Sequence, residues 1–478
     1  MASAIPSFRD PAGHCFSFQN RIFRFVAADA LADFEAFFAS PSAQKLVADG
    51  KLVASRRLAD GELAELRSAS PRSFSGGAGA FFEHEKIFFP SYPYEWPPEM
   101  LWAAGKLTLE TARGALADGF GLKDATPANV LFRGSAPVFV DALSFERRDP
   151  HDPLWRPYAQ FVRTFLLPLL ANRRWGLSPA DVFLTRRDGI EPEEIYRWCG
   201  PLEKFSPRLL SLVSIPTWLS RKANARADDG RIYRPRRLKN AEQARFILES
   251  LFRRLERTLD ALRPPAATSA WSEYMGTHSY DDPAFAEKER FVREALVEFK
   301  PSRVLDAGAN TGHFSAMAAG AGADVVAMDL DAACVGRMWR LGHEKSLKLL
   351  PLVLNLARPS PSLGWRNGES ASFLDRAYGT FDGVLMLALI HHLLVTERIP
   401  LEEILRLAYE LTNQLLIVEW VEPDDNMFRR LTRGREQLHE SLNADVFESA
   451  CRQYFDIVRS VALPGTSRRL YCCRRKKG

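Results

Sequence analysis

Short apolar runs bounded by turn residues recur through the second half of the chain: Val304-Leu305, 325–328 (VVAM), 349–354 (LLPLVL), 381–387 (FDGVLML) and 415–421 (LLIVEWV). They show little alternation, as strands buried on both faces do, and the stretches between them are long enough for helices. Strand and helix in this repeat predict a parallel, doubly wound sheet, finished by a hairpin over 455–461 and 467–473 with its turn at Pro464-Gly465. The first half reads differently. Alternation over 16–26 predicts a strand, followed by a helix over 28–38, an apolar strand ending at 87–90 and a long helix over 99–117. Residues 157–172 are apolar with a proline kink, and Phe246, Ile247, Leu251, Leu255, Leu259 and Leu262 mark the apolar face of a helix over 243–262. Pro264-Pro265 stops it, so 263–269 is the expected boundary between an N-terminal half and an α/β domain over 270–478.

Chemistry concentrates at the end of the first apolar run, in Asp306-Ala-Gly-Ala-Asn-Thr-Gly312. Gly308 and Gly312 can take positive φ and let the backbone approach a ligand, and the helix after Gly312 offers unpaired N–H groups. Asp329 closes the next strand, where a carboxylate can hold both hydroxyls of a ribose. The spacing D-x-G-x-x-x-G lacks one glycine of the dinucleotide pattern and sets Asn310 nearby, so a dinucleotide fits less well. The stretch resembles motif I of the class I S-adenosylmethionine-dependent methyltransferases. That resemblance implies a Rossmann-like domain with Asp306, Gly308, Asn310 and Gly312 near the methionine part of the cofactor and Asp329 on its ribose. Asn355, after the third run, is the candidate adenine contact.

The fourth run delivers His391-His392 to the same sheet edge, and imidazole can serve as general base near neutral pH. The N-P-P-Y signature of amino methylation of bases and the paired cysteines of carbon-5 RNA methylation are both absent. An oxygen or nitrogen acceptor, on a small molecule or an RNA, with His391 or His392 as base is the expectation. Trp271 to Tyr280 supply aromatic rings where such enzymes place a lid, with packing between domains as the equal alternative. Taken together, ALIHHL, PSPSLGW and IVEW resemble a family of bacterial class I methyltransferases related to nodulation-associated proteins, over nearly the whole chain.

Asp124, Asn129 and Asp141 sit on a helix-loop-strand-turn-strand pattern that resembles the catalytic loop and metal-binding aspartate of the protein-kinase-like fold. The resemblance covers roughly 10–180 and implies a kinase-like α+β domain over 1–180. In that chemistry the first aspartate orients a hydroxyl, and the asparagine and second aspartate hold magnesium on a nucleotide. Leu122-Lys123 replaces His-Arg, Ala142-Leu143 replaces Phe-Gly, and no Val-Ala-Ile-Lys strand supplies the phosphate lysine. These departures point to a degenerate lobe in which Asp124, Asn129 and Asp141 cap loops and which binds substrate or a partner; an ATP-dependent phosphotransferase and a non-catalytic scaffold are the alternatives. Ser73-Phe-Ser-Gly-Gly-Ala-Gly79 lacks the lysine of a phosphate loop and reads as a turn.

Composition changes this picture little. With 478 residues, 46% hydrophobic and 26% charged, the chain is long enough for two or three ordinary cores. No run of about eighteen apolar residues marks a membrane span, and no apolar leader is visible, so a cytoplasmic protein is expected. Six cysteines without C-x-x-C spacing argue against zinc or a disulfide framework, so no metal is expected there. The net charge of +5 demands no anionic partner. A helical, basic stretch over 181–269, richest between Arg221 and Lys239, leaves RNA as a partner to test, with oligomeric state undetermined.

Overall fold

Where alternation over 16–26 predicts one strand, the chain makes two, β1 (Gly13–Phe18) and β2 (Arg21–Ala27), paired antiparallel. Gln19 and Asn20 both take left-handed backbone (φ 47° and 63°), the conformation a two-residue hairpin needs. Neither is the glycine that would have announced it. With β3 (Ser55–Arg57) and β4 (Gly79–His84) they form a sheet of order β1-β2-β4-β3. One face buries Phe16, Phe23, Phe25, Phe74 and Phe81, each contributing roughly 1.5–3 kcal/mol of burial. The helix Ala28–Phe38 has the expected bounds, and Phe37 stacks on Phe145 with ring centroids 3.7 Å apart. Strand β4 ends at His84, so the apolar stretch at 87–90 is not a strand.

The helix Pro98–Ala117 leads into β5 (Phe120–Leu122), a loop carrying Asp124 and Asn129, and a hairpin of β6 (Val130–Arg133) and β7 (Ala136–Phe139). After Asp141, β8 (Phe145–Arg147) returns antiparallel to β5. Helical segments follow, including Leu167–Trp175 with Pro168 in its first turn and the amphipathic helix Ala241–Ala261, which buries Leu248, Leu255 and Leu259. The computed structural model describes residues 9–71, 73–74, 77–224, 237–269, 283–434, 437 and 441–477. The expected aromatic lid at 271–280, residues 225–236 of the basic stretch and part of the glycine-rich turn before β4 lie outside the described residues. No described helix is long and apolar enough to cross a membrane.

Two units emerge: Met1–Phe132 with Ala136–Pro265 and Leu363–Ser370, and Arg133–Ser135 with Ala266–Ser362 and Ala371–Gly478. The second holds a seven-stranded sheet of order β11-β10-β9-β12-β13-β15-β14. Its strands are β9 (Arg303–Ala307), β10 (Asp324–Asp329), β11 (Leu349–Val353), β12 (Phe381–Met386), β13 (Thr412–Val421), β14 (Phe455–Ala462) and β15 (Arg468–Arg475). The first five run parallel, and β15 lies antiparallel between β13 and β14. Val304, Val325, Ala327, Leu385 and Ile417 are buried in one core with Phe291 and Leu296 of the helix Pro283–Phe299. The alternate residues Leu305, Val326, Met328, Val384 and Leu416, on the other face, are buried as well, and burial on both faces is why these strands read as unbroken apolar runs. Strand order reverses between β9 and β12, which opens a crevice at their carboxyl ends.

Candidate functional site

The turn after β9 is built by local constraints. Gly308 (φ 75°) and Asn310 (φ 51°) both take left-handed backbone, and the N–H groups of Gly308 and Ala309 donate to the Met328 carbonyl at 2.9 and 3.0 Å. This ties the turn to β10. Gly312 (φ 84°) starts the helix His313–Gly320, and a Cβ there would lie 2.6 Å from Met338 Cγ. Glycine is required at that position for packing as well as backbone. At the end of β10, Asp329 accepts from the Asn310 N–H (2.8 Å) and the Asp331 N–H (2.9 Å), which aims its carboxylate back over the turn.

A cavity of about 850 Å³ occupies the crevice, a volume typical of small-molecule sites. Asp306, Gly308, Asn310, Asp329, Asn355, His391 and His392 all line it, so the residues predicted from separate motifs meet in one place. Gly312 is outside the lining and serves the helix start. Asn355 Oδ1 accepts from the Ala357 N–H at 2.8 Å, so this side chain fixes its own turn while it faces the cavity. Leu330, next to Asp329, lines the cavity yet is 68% exposed, an apolar surface placed to cover a flat ring. Positive-φ backbone at the turn, a carboxylate at the second strand and an uncovered leucine beside it suit an adenosine-bearing ligand.

The same cavity is also lined by charges that sequence reasoning missed. Glu419 in β13 is 1% exposed and pairs with Lys288 of the helix Pro283–Phe299 at 2.5 Å and with Arg468 of β15 at 3.3 Å. Arg468 also grips Asp425 through two contacts, at 2.9 and 3.2 Å. Lys288 lies over the Phe314 ring, 5.2 Å from its centroid. A glutamate inside the otherwise apolar 415–421 was the available signal. It needed cations to be buried there, and those sit more than 40 residues away in either direction.

Burial raises Asp306 to about 6, although Ser315 Oγ donates to it at 2.5 Å and Lys288 is near. Asp329 is likewise raised by burial, against the hydrogen bonds it accepts. His391 is pushed down to about 3 by burial, and then by His392 and Arg468. It is therefore neutral at physiological pH, and its Nδ1 is buried with no hydrogen-bond partner among the described residues. His392, in contact at 4.3 Å between ring centroids, is also lowered by burial and Arg468. Both belong to the short helix Ile390–Val395 after β12.

A doubly wound sheet with this crevice defines a class of protein, and residues 278–457 match the methyltransferase domain family. The chain is an S-adenosylmethionine-dependent methyltransferase. It belongs to the family of the nodulation protein NoeA of Rhizobium meliloti (strain 1021), to which it is 30% identical over 476 residues, 98% of this chain and 96% of that protein. Among solved structures it is similar to the N-methyltransferase NodS from Bradyrhizobium japonicum WM9, at 15% identity and TM-score 0.31 over 41% of this chain and 99% of that one. Magnesium protoporphyrin IX methyltransferase (ChlM) from Synechocystis PCC 6803 with bound SAM matches at 20% identity and TM-score 0.29, over 40% of this chain and 80% of that one.

Proposed function

We propose that the second unit transfers a methyl group to an oxygen or nitrogen of a small-molecule acceptor, with Asp306, Gly308 and Asn310 around the methionine part of the cofactor. Gly312 fixes the helix start behind them, Asp329 takes the ribose hydroxyls, and Asn355 and Leu330 flank the adenine. S-adenosylmethionine, when bound, supplies a methyl carbon already activated by sulfonium. The residues then have to align the acceptor and remove one proton. His391 or His392, neutral at working pH, accepts that proton, while the ion pairs of Lys288, Glu419, Arg468 and Asp425 hold the acceptor end in a fixed shape. The observation that carries this reading is the single cavity joining the adenosine end at Asp329 to the imidazole pair.

The charges at the acceptor end balance, two cations against two carboxylates, which favours an uncharged hydroxyl or amine-bearing molecule over RNA. Titration calorimetry with S-adenosylhomocysteine tests the cofactor half of the proposal. Wild type should bind, and Asp329→Ala should weaken binding about tenfold or more by removing a charge-assisted hydrogen-bond acceptor. Unchanged affinity in that variant would sink the ribose assignment. Salt-dependent retention on tRNA would move the acceptor to RNA. In the first unit, the order of the helix Pro98–Ala117, β5, the 124–129 loop, the β6–β7 hairpin, Asp141 and β8 supports the kinase-like reading of 1–180.

A further inference from the structure

If the first unit follows the kinase-like pattern, Asp141 should be a metal ligand and Asn129 should help hold the ion. The surroundings of those residues do not fit magnesium. Asp141 Oδ1 lies 3.2 Å from Nη1 of Arg24, and Oδ2 accepts the Ser144 hydroxyl at 2.5 Å. The Asn129 amide nitrogen donates to Ser144 Oγ at 3.2 Å and to the Asp124 carbonyl at 3.4 Å. Asp124 Oδ1 in turn accepts from Gln160 at 3.3 Å. Magnesium needs carboxylate oxygens free to approach to about 2.1 Å in near-octahedral array. Here a fixed cation already faces the carboxylate and would repel a second one.

Arg24 is itself held. It projects from β2, is 7% exposed, and its Nε donates to His84 Nε2 at 3.0 Å. His84 Nδ1 and the Ser55 hydroxyl are 2.6 Å apart, which ties β4 to β3 beneath the guanidinium. Burial, and then Arg24, lower His84 to about 3, so it stays a neutral acceptor for Arg24. Arg24, His84, Ser55, Asp141, Ser144 and Asn129 thus form one continuous polar chain from the sheet to the 124–141 loops.

We infer that Arg24 stands where a divalent cation would, so that the first unit closes its Asp141 loop with an internal ion pair and neither binds magnesium nucleotide nor transfers phosphate. The inference is independent of the methyltransferase assignment. The test uses the full chain in thermal unfolding and titration calorimetry, with millimolar magnesium and ATP, with manganese alone, and with chelator. Wild type should show no magnesium-dependent ATP binding and no metal-dependent change in melting. Asp141→Asn should lower the melting temperature by about 5 °C or more, because it strands a buried guanidinium. Arg24→Ala should gain a manganese-dependent rise in melting temperature that is lost in the Arg24→Ala, Asp141→Asn double variant. Magnesium-dependent ATP binding by wild type that Asp141→Asn abolishes would overturn the inference. So would an Asp141→Asn variant that melts like wild type, or a folded Arg24→Ala variant indifferent to manganese. If Arg24→Ala does not fold, the wild-type titration and Asp141→Asn still decide the question.

Discussion

Asp306 offers a perturbation with opposite effects on stability and on ligand binding. Its carboxyl is buried in the wall of the cavity and raised from the ordinary value of 3.8 to about 6. At about 1.4 kcal/mol for each tenfold change in proton affinity, holding it ionised at neutral pH costs the fold about 3 kcal/mol. The sign follows from proton counting. Between pH 3.8 and about 6 the folded carboxyl binds more proton than the unfolded one, so stability from this group falls as pH rises through that window and levels off above it. Asp306→Asn keeps an oxygen to accept from Ser315 and removes the charge. The variant should be more stable than wild type at pH 7.5 by up to about 3 kcal/mol. That gain should shrink as pH falls from about 6.5 to 4, measured by urea unfolding across the range. Binding should move the other way. A ligand ammonium beside Asp306 favours its ionised form, so affinity for S-adenosylhomocysteine should drop below pH 6 in wild type and lose that dependence in the variant, which should bind more weakly throughout. A variant less stable than wild type at pH 7.5, or a stability difference flat with pH, would refute the reasoning.

His391→Ala and His392→Ala should each retain cofactor affinity, and the rate of methyl transfer should fall by about 10²-fold or more for the residue that acts as base; wild-type rates in both variants would remove the imidazoles from the mechanism. Because burial holds His391 near 3, an acid limb of the rate between pH 5 and 8 that disappears in His391→Ala would contradict its neutral state. Arg468→Met leaves Glu419 and Asp425 short of a partner in a buried setting, and should destabilise the second unit by about 3–5 kcal/mol in denaturant unfolding. The same change made together with Glu419→Gln should cost less than the sum of the two, since each removes the other's uncompensated charge.

Much of the second unit was legible because its signals are local. The runs at 325–328 and 415–421 could hardly be anything but strands buried on both faces, and the glycine-rich turn names its own backbone geometry. Asp329 and the histidine pair were visible because each follows such a run. What escaped was set by pairing at a distance. Lys288 and Arg468 look like ordinary surface cations in sequence, and only the fold shows that both serve Glu419. In the first unit, Gln19-Asn20 turned one expected strand into two, since two adjacent left-handed residues carried no glycine to mark them. Asp141 was found by spacing, whereas the residue that determines its chemistry, Arg24, lies on a strand with no motif of its own.

The position of β15 gives the crevice a history as well as a shape. This strand slots between β13 and β14 and brings Arg468 to Glu419 and Asp425. During synthesis the first five strands can assemble while those two carboxylates still lack their guanidinium, and β13 waits with an open edge until β15 arrives. An emerging chain halted before residue 468 would hold the glycine-rich turn and the histidine pair yet leave acid groups stranded beside them. Neutralisation of these two carboxylates thus waits on β15, and a chain cut before Arg468 would fail to present a finished methylation site, however well its first strands had folded.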